Sequence, residues 1–159
     1  MSKKTRTTFL LNAIDSADAT NLYNRLKDNI EWEEGIRSKN GFTRKAKVIF
    51  SIDYYILYPE IKECVDSVLS LFNEKYTVAG VYLNFYENGE MYTPNHTHPG
   101  TQQLVISLGA TRTLTINKKE FKMSNGSAIL FGSSVHGVPK EPEVKEGRIS
   151  IATFMRRDD

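Results

Sequence analysis

Near residue 78 the hydrophobic period of the chain changes, and this change limits the possible folds more than any other feature. Before it, Leu22, Leu26 and Ile30 recur at spacing four, and Ile61, Val65, Val68, Leu69 and Phe72 at steps of three and four. Such spacing stacks apolar side chains on one helical face and predicts two amphipathic helices. After it, the apolar residues alternate or form short runs, predicting strands at 78–86, 103–108, 112–116, 120–123, 127–131 and 148–155. Glu87-Asn88-Gly89, Asn117-Lys118 and Ser124-Asn125-Gly126 separate them with turn-forming residues. Many short strands joined by turns predict a sandwich or barrel. Two helices ahead of them make the chain α+β, with the helices bracing one sheet.

Local signals refine this outline. Thr7 to Ile14 reads as a short extended run, and Val48-Ile49-Phe50 as a strand. Asp15-Ser16-Ala17-Asp18 offers side-chain oxygens for the first helix N-terminus. Tyr54-Tyr55-Ile56-Leu57-Tyr58 is an aromatic segment, and Pro59 suits the first turn of the second helix. The 159 residues fit one domain, 1–159, and 40% hydrophobic residues suffice for one core. Lys plus Arg is 21 against 19 Asp plus Glu, a net charge of +2 that neither demands nor excludes a polyanionic partner. Cys64 is the only cysteine, so the chain has no disulfide partner within itself and no cysteine-based zinc site. A reducing, cytoplasmic compartment is therefore expected. No apolar run approaches the roughly 20 residues of a membrane span, and the basic start lacks the apolar stretch of a signal peptide.

The histidine complement is small and clustered: His96, His98 and His136. In an extended segment the two rings of His96-Thr97-His98 face the same side. His136 follows the 127–131 strand and supplies a third ring from a distant part of the chain. Three neutral imidazoles suit iron, zinc, copper or nickel. No Asp or Glu lies between Glu90 and Glu120 to supplement them.

Over roughly residues 7–156 the order of short motifs resembles the AlkB-like branch of the Fe(II)/2-oxoglutarate-dependent dioxygenases. Asn84-Phe85-Tyr86-Glu87-Asn88-Gly89 is similar to the family's N-x-Y strand end and turn, and His96 follows Asn84 by twelve residues. Ser107-Leu108-Gly109-Ala110-Thr111-Arg112 resembles its S-x-G-x-x-R strand. Gly126-Ser127-Ala128-Ile129-Leu130-Phe131 resembles the strand that leads to the distal histidine, here His136, and Arg148 follows twelve residues later. The resemblance implies a double-stranded β-helix (jelly-roll) core. It also implies Fe(II) on His96 and His136, which would be the catalytic ligands, with His98 in the third ligand position. 2-Oxoglutarate would lie on Asn84, Tyr86, Arg148 and Ser150. With O₂ it would be converted to succinate and CO₂ as a substrate is hydroxylated. Arg148 is a permanently charged fork suited to the distal carboxylate of such a cosubstrate.

Two positions depart from the family pattern. The third ligand is His98 where the family has a carboxylate, and Phe154 stands where a second arginine is usual. The family commonly hydroxylates or demethylates nucleic-acid bases, which implies DNA, RNA or a nucleotide as partner. Arg37 and Arg44, ahead of Tyr54 and Tyr55, combine charge with stacking rings, and Arg112 is a possible second positive wall. Two other readings stand beside this one. One is a catalytically silent binding module. The other is a 2-oxoglutarate oxygenase of a small molecule or a protein side chain.

Overall fold

A computed structural model describes residues 6–34, 37–38 and 41–157. In chain order the elements are β1 (Thr8–Leu10), α1 (Ser16–Asn29), β2 (Glu33–Glu34), β3 (Arg37–Ser38), β4 (Gly41–Phe42), β5 (Lys45–Phe50), α2 (Ser51–Ile56) and α3 (Pro59–Leu69). There follow β6 (Tyr76–Tyr86), β7 (Thr93–His96), β8 (Gln102–Gly109), β9 (Arg112–Ile116), β10 (Lys119–Met123), β11 (Ala128–Phe131), β12 (His136–Val138) and β13 (Arg148–Arg157). A seven-stranded sheet runs β1-β11-β8-β13-β6-β5-β2, and a four-stranded sheet runs β10-β9-β12-β7. β3 and β4 form a separate pair. All pairings are antiparallel.

The expected α+β double-stranded β-helix is present. One face of the large sheet carries Leu83, Leu104, Ile106, Leu108, Ile149 and Ile151 against Leu26 of α1 and Ile61, Val65 and Val68 of α3. The other face carries Val105, Ile129, Phe131 and Ala152 against Leu114, Ile116 and Val138 of the small sheet. A sheet covered on both faces needs apolar residues without alternation, which explains the continuous run Leu104-Val105-Ile106. α1 begins where Asp15 accepts a hydrogen bond from the Ala17 N–H, and α3 begins with Pro59 in its first turn. Asn117 and Lys118 both have positive φ, 49° and 69°, as a two-residue turn between β9 and β10 requires. No described helix is long and apolar enough to cross a membrane.

Beyond the two-residue strands β2, β3 and β4, which the sequence does not predict, three elements differ from the sequence expectation. The aromatic segment begins inside a short helix, α2, so a third helix joins the two expected. β7 and β12 read as loops, because the strand-poor residues Pro94, Asn95 and Gly137 interrupt Thr-Pro-Asn-His and His-Gly-Val. They form because they pair with each other and β12 also pairs with β9. Gly137 permits this approach, since a Cβ there would meet Asn95 Oδ1 at 2.5 Å and the Thr93 carbonyl at 2.8 Å.

Candidate metal centre and anion pocket

Sheet register builds the site. His136 pairs directly with His96 across β12 and β7. Opposite them, Arg148 pairs with Tyr86, Ser150 with Asn84 and Ala152 with Tyr82, so side chains of one parity share the inner face of the large sheet. A cavity of about 270 Å³ lies between the sheets. His96, His98 and His136 line it, as do Arg44, Asn84, Tyr86, Arg148, Ser150 and Phe154.

The ligand atoms of His96, His98 and His136 lie within 4.8 Å of one another. β7 ends at His96, and His98 stands two residues past it, at the start of the turn that runs to Thr101. The Thr101 hydroxyl donates to the His98 carbonyl at 2.7 Å, and Gly100 has φ +74°. The Thr97 hydroxyl also donates to the Ser133 carbonyl, tying this turn to the segment before His136. His96 Nδ1 lies 2.8 Å from the Pro94 carbonyl, and His136 Nδ1 lies 2.8 Å from the Ser134 carbonyl. A carbonyl only accepts, so both Nδ1 atoms carry the proton. Each Nε2 is left with a free lone pair, the arrangement found in histidines that bind a metal through one nitrogen and donate from the other.

The two departures from the family pattern meet in space. The His98 and Phe154 rings pack edge to face, with centroids 4.9 Å apart. The imidazole therefore faces an apolar ring. His98→Asp would turn a carboxylate toward that ring and should cost the metal-free protein about 1–2 kcal/mol. Phe154→Arg in the same chain should recover about 1 kcal/mol or more. A double-mutant cycle by denaturant titration checks this, and additive effects would contradict it.

Burial pushes His136 down to about 4; the Ser134 carbonyl opposes this, and His96 and His98 add to it. Burial and then His96 lower His98 as well. In the unfolded chain such a ring titrates near 6.5. Between these values the unfolded chain holds a proton that the folded chain does not. The contribution is thus fully present above about pH 6.5 and is lost as pH falls toward 4. Metal-free protein should lose on the order of 2 kcal/mol across that window, and His136→Gln should flatten the slope. Urea titrations in a chelator check this, and an unchanged slope would contradict it.

Arg148 is 1% exposed. Its Nε donates to Ser107 Oγ at 2.7 Å, and its charge sits 5.4 Å from the centre of the Tyr86 ring. Its Nη2 is buried and has no hydrogen-bond partner. Burial pushes this guanidinium down to about 10, so it is charged at neutral pH. Among the described residues no Asp or Glu lines the cavity to neutralise it. Asn84 Nδ2 reaches Ser150 Oγ at 3.4 Å, and the Tyr86 and Thr93 hydroxyls share a hydrogen bond of 2.6 Å.

Among the described side chains expected to contact a base, two are buried away from the cavity. Tyr54 is fully buried beneath the large sheet, because its ring completes the core between α2 and α3. Arg112 is also buried, held by Glu141 and by backbone carbonyls rather than facing a ligand. Arg44 lies inside the cavity. The side chains of Arg37 and Tyr55 lie outside the described residues. Sequence reasoning missed Thr93, which no motif marks, and the pairing of Arg112 with Glu141, which are 29 residues apart.

No protein-family model and no curated protein matches the sequence. Solved structures do match. A Trichoplax adhaerens prolyl hydroxylase in complex with a hypoxia inducible factor peptide fragment is 16% identical, with a TM-score of 0.63 over 94% of this chain and 82% of that one. A Pseudomonas putida prolyl-4-hydroxylase is 13% identical, with a TM-score of 0.57 over 96% and 93%. The α-ketoglutarate-dependent epimerase SnoN of nogalamycin biosynthesis is 11% identical, with a TM-score of 0.62 over 94% and 77%. The chain thus shares its fold, a double-stranded β-helix, with these proteins.

Proposed function

We propose that the chain is a non-haem Fe(II)/2-oxoglutarate-dependent oxygenase. His96, His98 and His136 would hold the metal, and Arg148 would receive the distal carboxylate of the cosubstrate. The observation that carries this reading is the orphaned Nη2 of Arg148, a buried cation facing the same cavity as three imidazoles. A buried charge without a counter-ion is costly and persists where a ligand supplies the opposite charge. The residues fit both groups. Two histidines have their Nε2 lone pairs free, and the opposite wall is cationic and carries hydroxyl and amide groups.

Bound Fe(II) supplies the redox chemistry that couples O₂ to oxidation of the cosubstrate. The chain does the rest. Arg148 orients the cosubstrate by a charge-assisted fork. Asn84, Ser150 and Tyr86 line its bed. Val105, Leu114 and Ala152 add apolar wall to the cavity, which lowers the local dielectric and strengthens each polar contact. Three neutral ligands leave the metal one unit more positive than two histidines and a carboxylate would, favouring an anionic chelator.

The order of the Asn84–Tyr86, His96, His136 and Arg148 motifs supports an AlkB-like assignment, and a nucleic-acid base as substrate rests on that order alone. The solved structures named above include a protein hydroxylase with its peptide and a small-molecule epimerase, so they leave the substrate class open. The test is O₂-dependent conversion of 2-oxoglutarate to succinate by Fe(II)-loaded protein. Slow succinate release without substrate is expected. Protein that binds the cosubstrate yet forms no succinate would be a silent binding module. Stimulation by methylated oligonucleotides, against unmethylated controls, tests the base.

A further inference from the structure

We infer that the primary substrate is a small anionic molecule and that Arg44 is its anchor, an inference that rests on the oxygenase reading above. Arg44 immediately precedes β5, is 5% exposed and lines the cavity. Its Nε donates to Asn84 Oδ1 at 2.7 Å and its Nη1 to Thr43 Oγ1 at 2.7 Å. Both partners are neutral. Among the described residues its Nη2 has no hydrogen-bond partner and no Asp or Glu forms an ion pair with it. Glu87 pairs with Lys45 at 3.3 Å, Glu33 with Lys47 at 3.8 Å, and Glu141 with Arg112 at 3.2 Å.

Charge counting gives the direction. Among the described residues the cavity walls carry two guanidinium charges, Arg44 and Arg148, and no carboxylate. A divalent metal on neutral imidazoles raises the total to four positive charges. 2-Oxoglutarate brings two negative charges, which the metal and Arg148 engage, and two positive charges remain. In a cavity walled by Tyr82, Val105, Leu114 and Ala152, an uncompensated guanidinium is expensive. A second oxyanion removes that cost. The planar fork suits a carboxylate or a phosphate. The volume limits the rest of the molecule, since about 270 Å³ is at the lower end of ligand pockets and the cosubstrate takes part of it.

The test uses the full chain loaded with redox-silent Mn(II) and saturated with 2-oxoglutarate in the absence of O₂. It is titrated calorimetrically with two matched pairs: propionate against propionamide, and glycerol 3-phosphate against glycerol. In at least one pair the anion should bind about tenfold or more tightly than its neutral partner, and that pair identifies the oxyanion. Arg44→Gln should abolish the advantage while leaving 2-oxoglutarate affinity within about threefold. Arg44→Lys, which keeps the charge without the fork, should retain part of it. An anion that binds no better than its isostere to wild-type protein overturns the inference whether or not the variants fold. So does Arg44→Gln if it weakens 2-oxoglutarate about tenfold and leaves the anion advantage intact, because Arg44 would then be a second cosubstrate clamp. Failure of wild-type protein to bind 2-oxoglutarate at all overturns the oxygenase reading, and this inference with it.

Discussion

Arg148→Met should weaken 2-oxoglutarate binding about 100- to 1,000-fold while leaving the ligand-free protein as stable as wild type or more so. The two halves of this result have one cause. In the ligand-free fold, the arginine carries a buried charge with an unsatisfied Nη2, a deficit of about 1–3 kcal/mol. Its compensations are a bond to Ser107 and the Tyr86 ring, the latter about 0.5–2 kcal/mol. Met fills similar space without the charge. Ser107 Oγ keeps the Met123 carbonyl within 3.4 Å. In the cosubstrate complex, losing one partner of a buried charge pair costs about 2–5 kcal/mol. Calorimetry and thermal melting measure the two halves. A large loss of stability with unchanged affinity would make Arg148 a structural residue.

Arg112→Met should lower stability by about 3–5 kcal/mol, as expected when one partner of a buried ion pair is removed. Arg112 is 1% exposed and gathers two stretches of chain, 88–91 and 139–141, onto its own strand. Its Nε meets Glu141 Oε1 at 3.2 Å, its Nη1 donates to the Asn88 carbonyl at 3.1 Å, and its Nη2 donates to the carbonyls of Met91 and Pro139 at 2.7 and 2.9 Å. Burial raises the Glu141 pKa, but hydrogen bonds from the Thr113 N–H and Arg112, with the arginine's charge, bring it below the ordinary carboxylate value. Glu141 is therefore ionised at neutral pH and would be left facing an apolar side chain. Backbone hydrogen bonds from the Glu141 N–H to the Gly89 carbonyl and from the Gly89 N–H to the Val144 carbonyl, both 2.8 Å, close the same region so tightly that a Cβ on Gly89 would overlap the Glu141 carbonyl. Adding Glu141→Gln to the arginine variant should return part of the loss. Denaturant titration measures both, and a loss below about 1 kcal/mol would mean that the pair contributes little.

Much of this architecture can be read along the chain, and the exceptions share a cause. α1, α3, β6, β8 and β13 carry their own period and are visible in the sequence, because burial of one face or both selects the residues. β7 and β12 are visible only through their partners. Strand-poor residues interrupt both, and Gly137 serves an approach between strands. His96, His98 and His136 stand out in sequence because histidine is rare here. Their convergence depends on the β7–β12 pairing and on the turn at Gly100, which no local pattern specifies. Charge is the least legible property. Arg44, Arg112 and Arg148 look alike in sequence, yet Arg112 is a neutralised staple and the other two are unpaired cations in a cavity. What separates them is Glu141, brought to Arg112 by the fold.

The most direct test of the central claim is an anaerobic titration of metal-free protein with Fe(II) and then 2-oxoglutarate, followed by visible absorption. One Fe(II) should bind per chain, and 2-oxoglutarate should then produce a metal-to-ligand charge-transfer band that saturates at one equivalent. His136→Ala should abolish the band, and Arg148→Met should shift its appearance to about 100-fold higher cosubstrate or beyond. Folded wild-type protein that binds no Fe(II), or that binds it and shows no such band, would contradict the claim that the three imidazoles and Arg148 form one oxygenase centre.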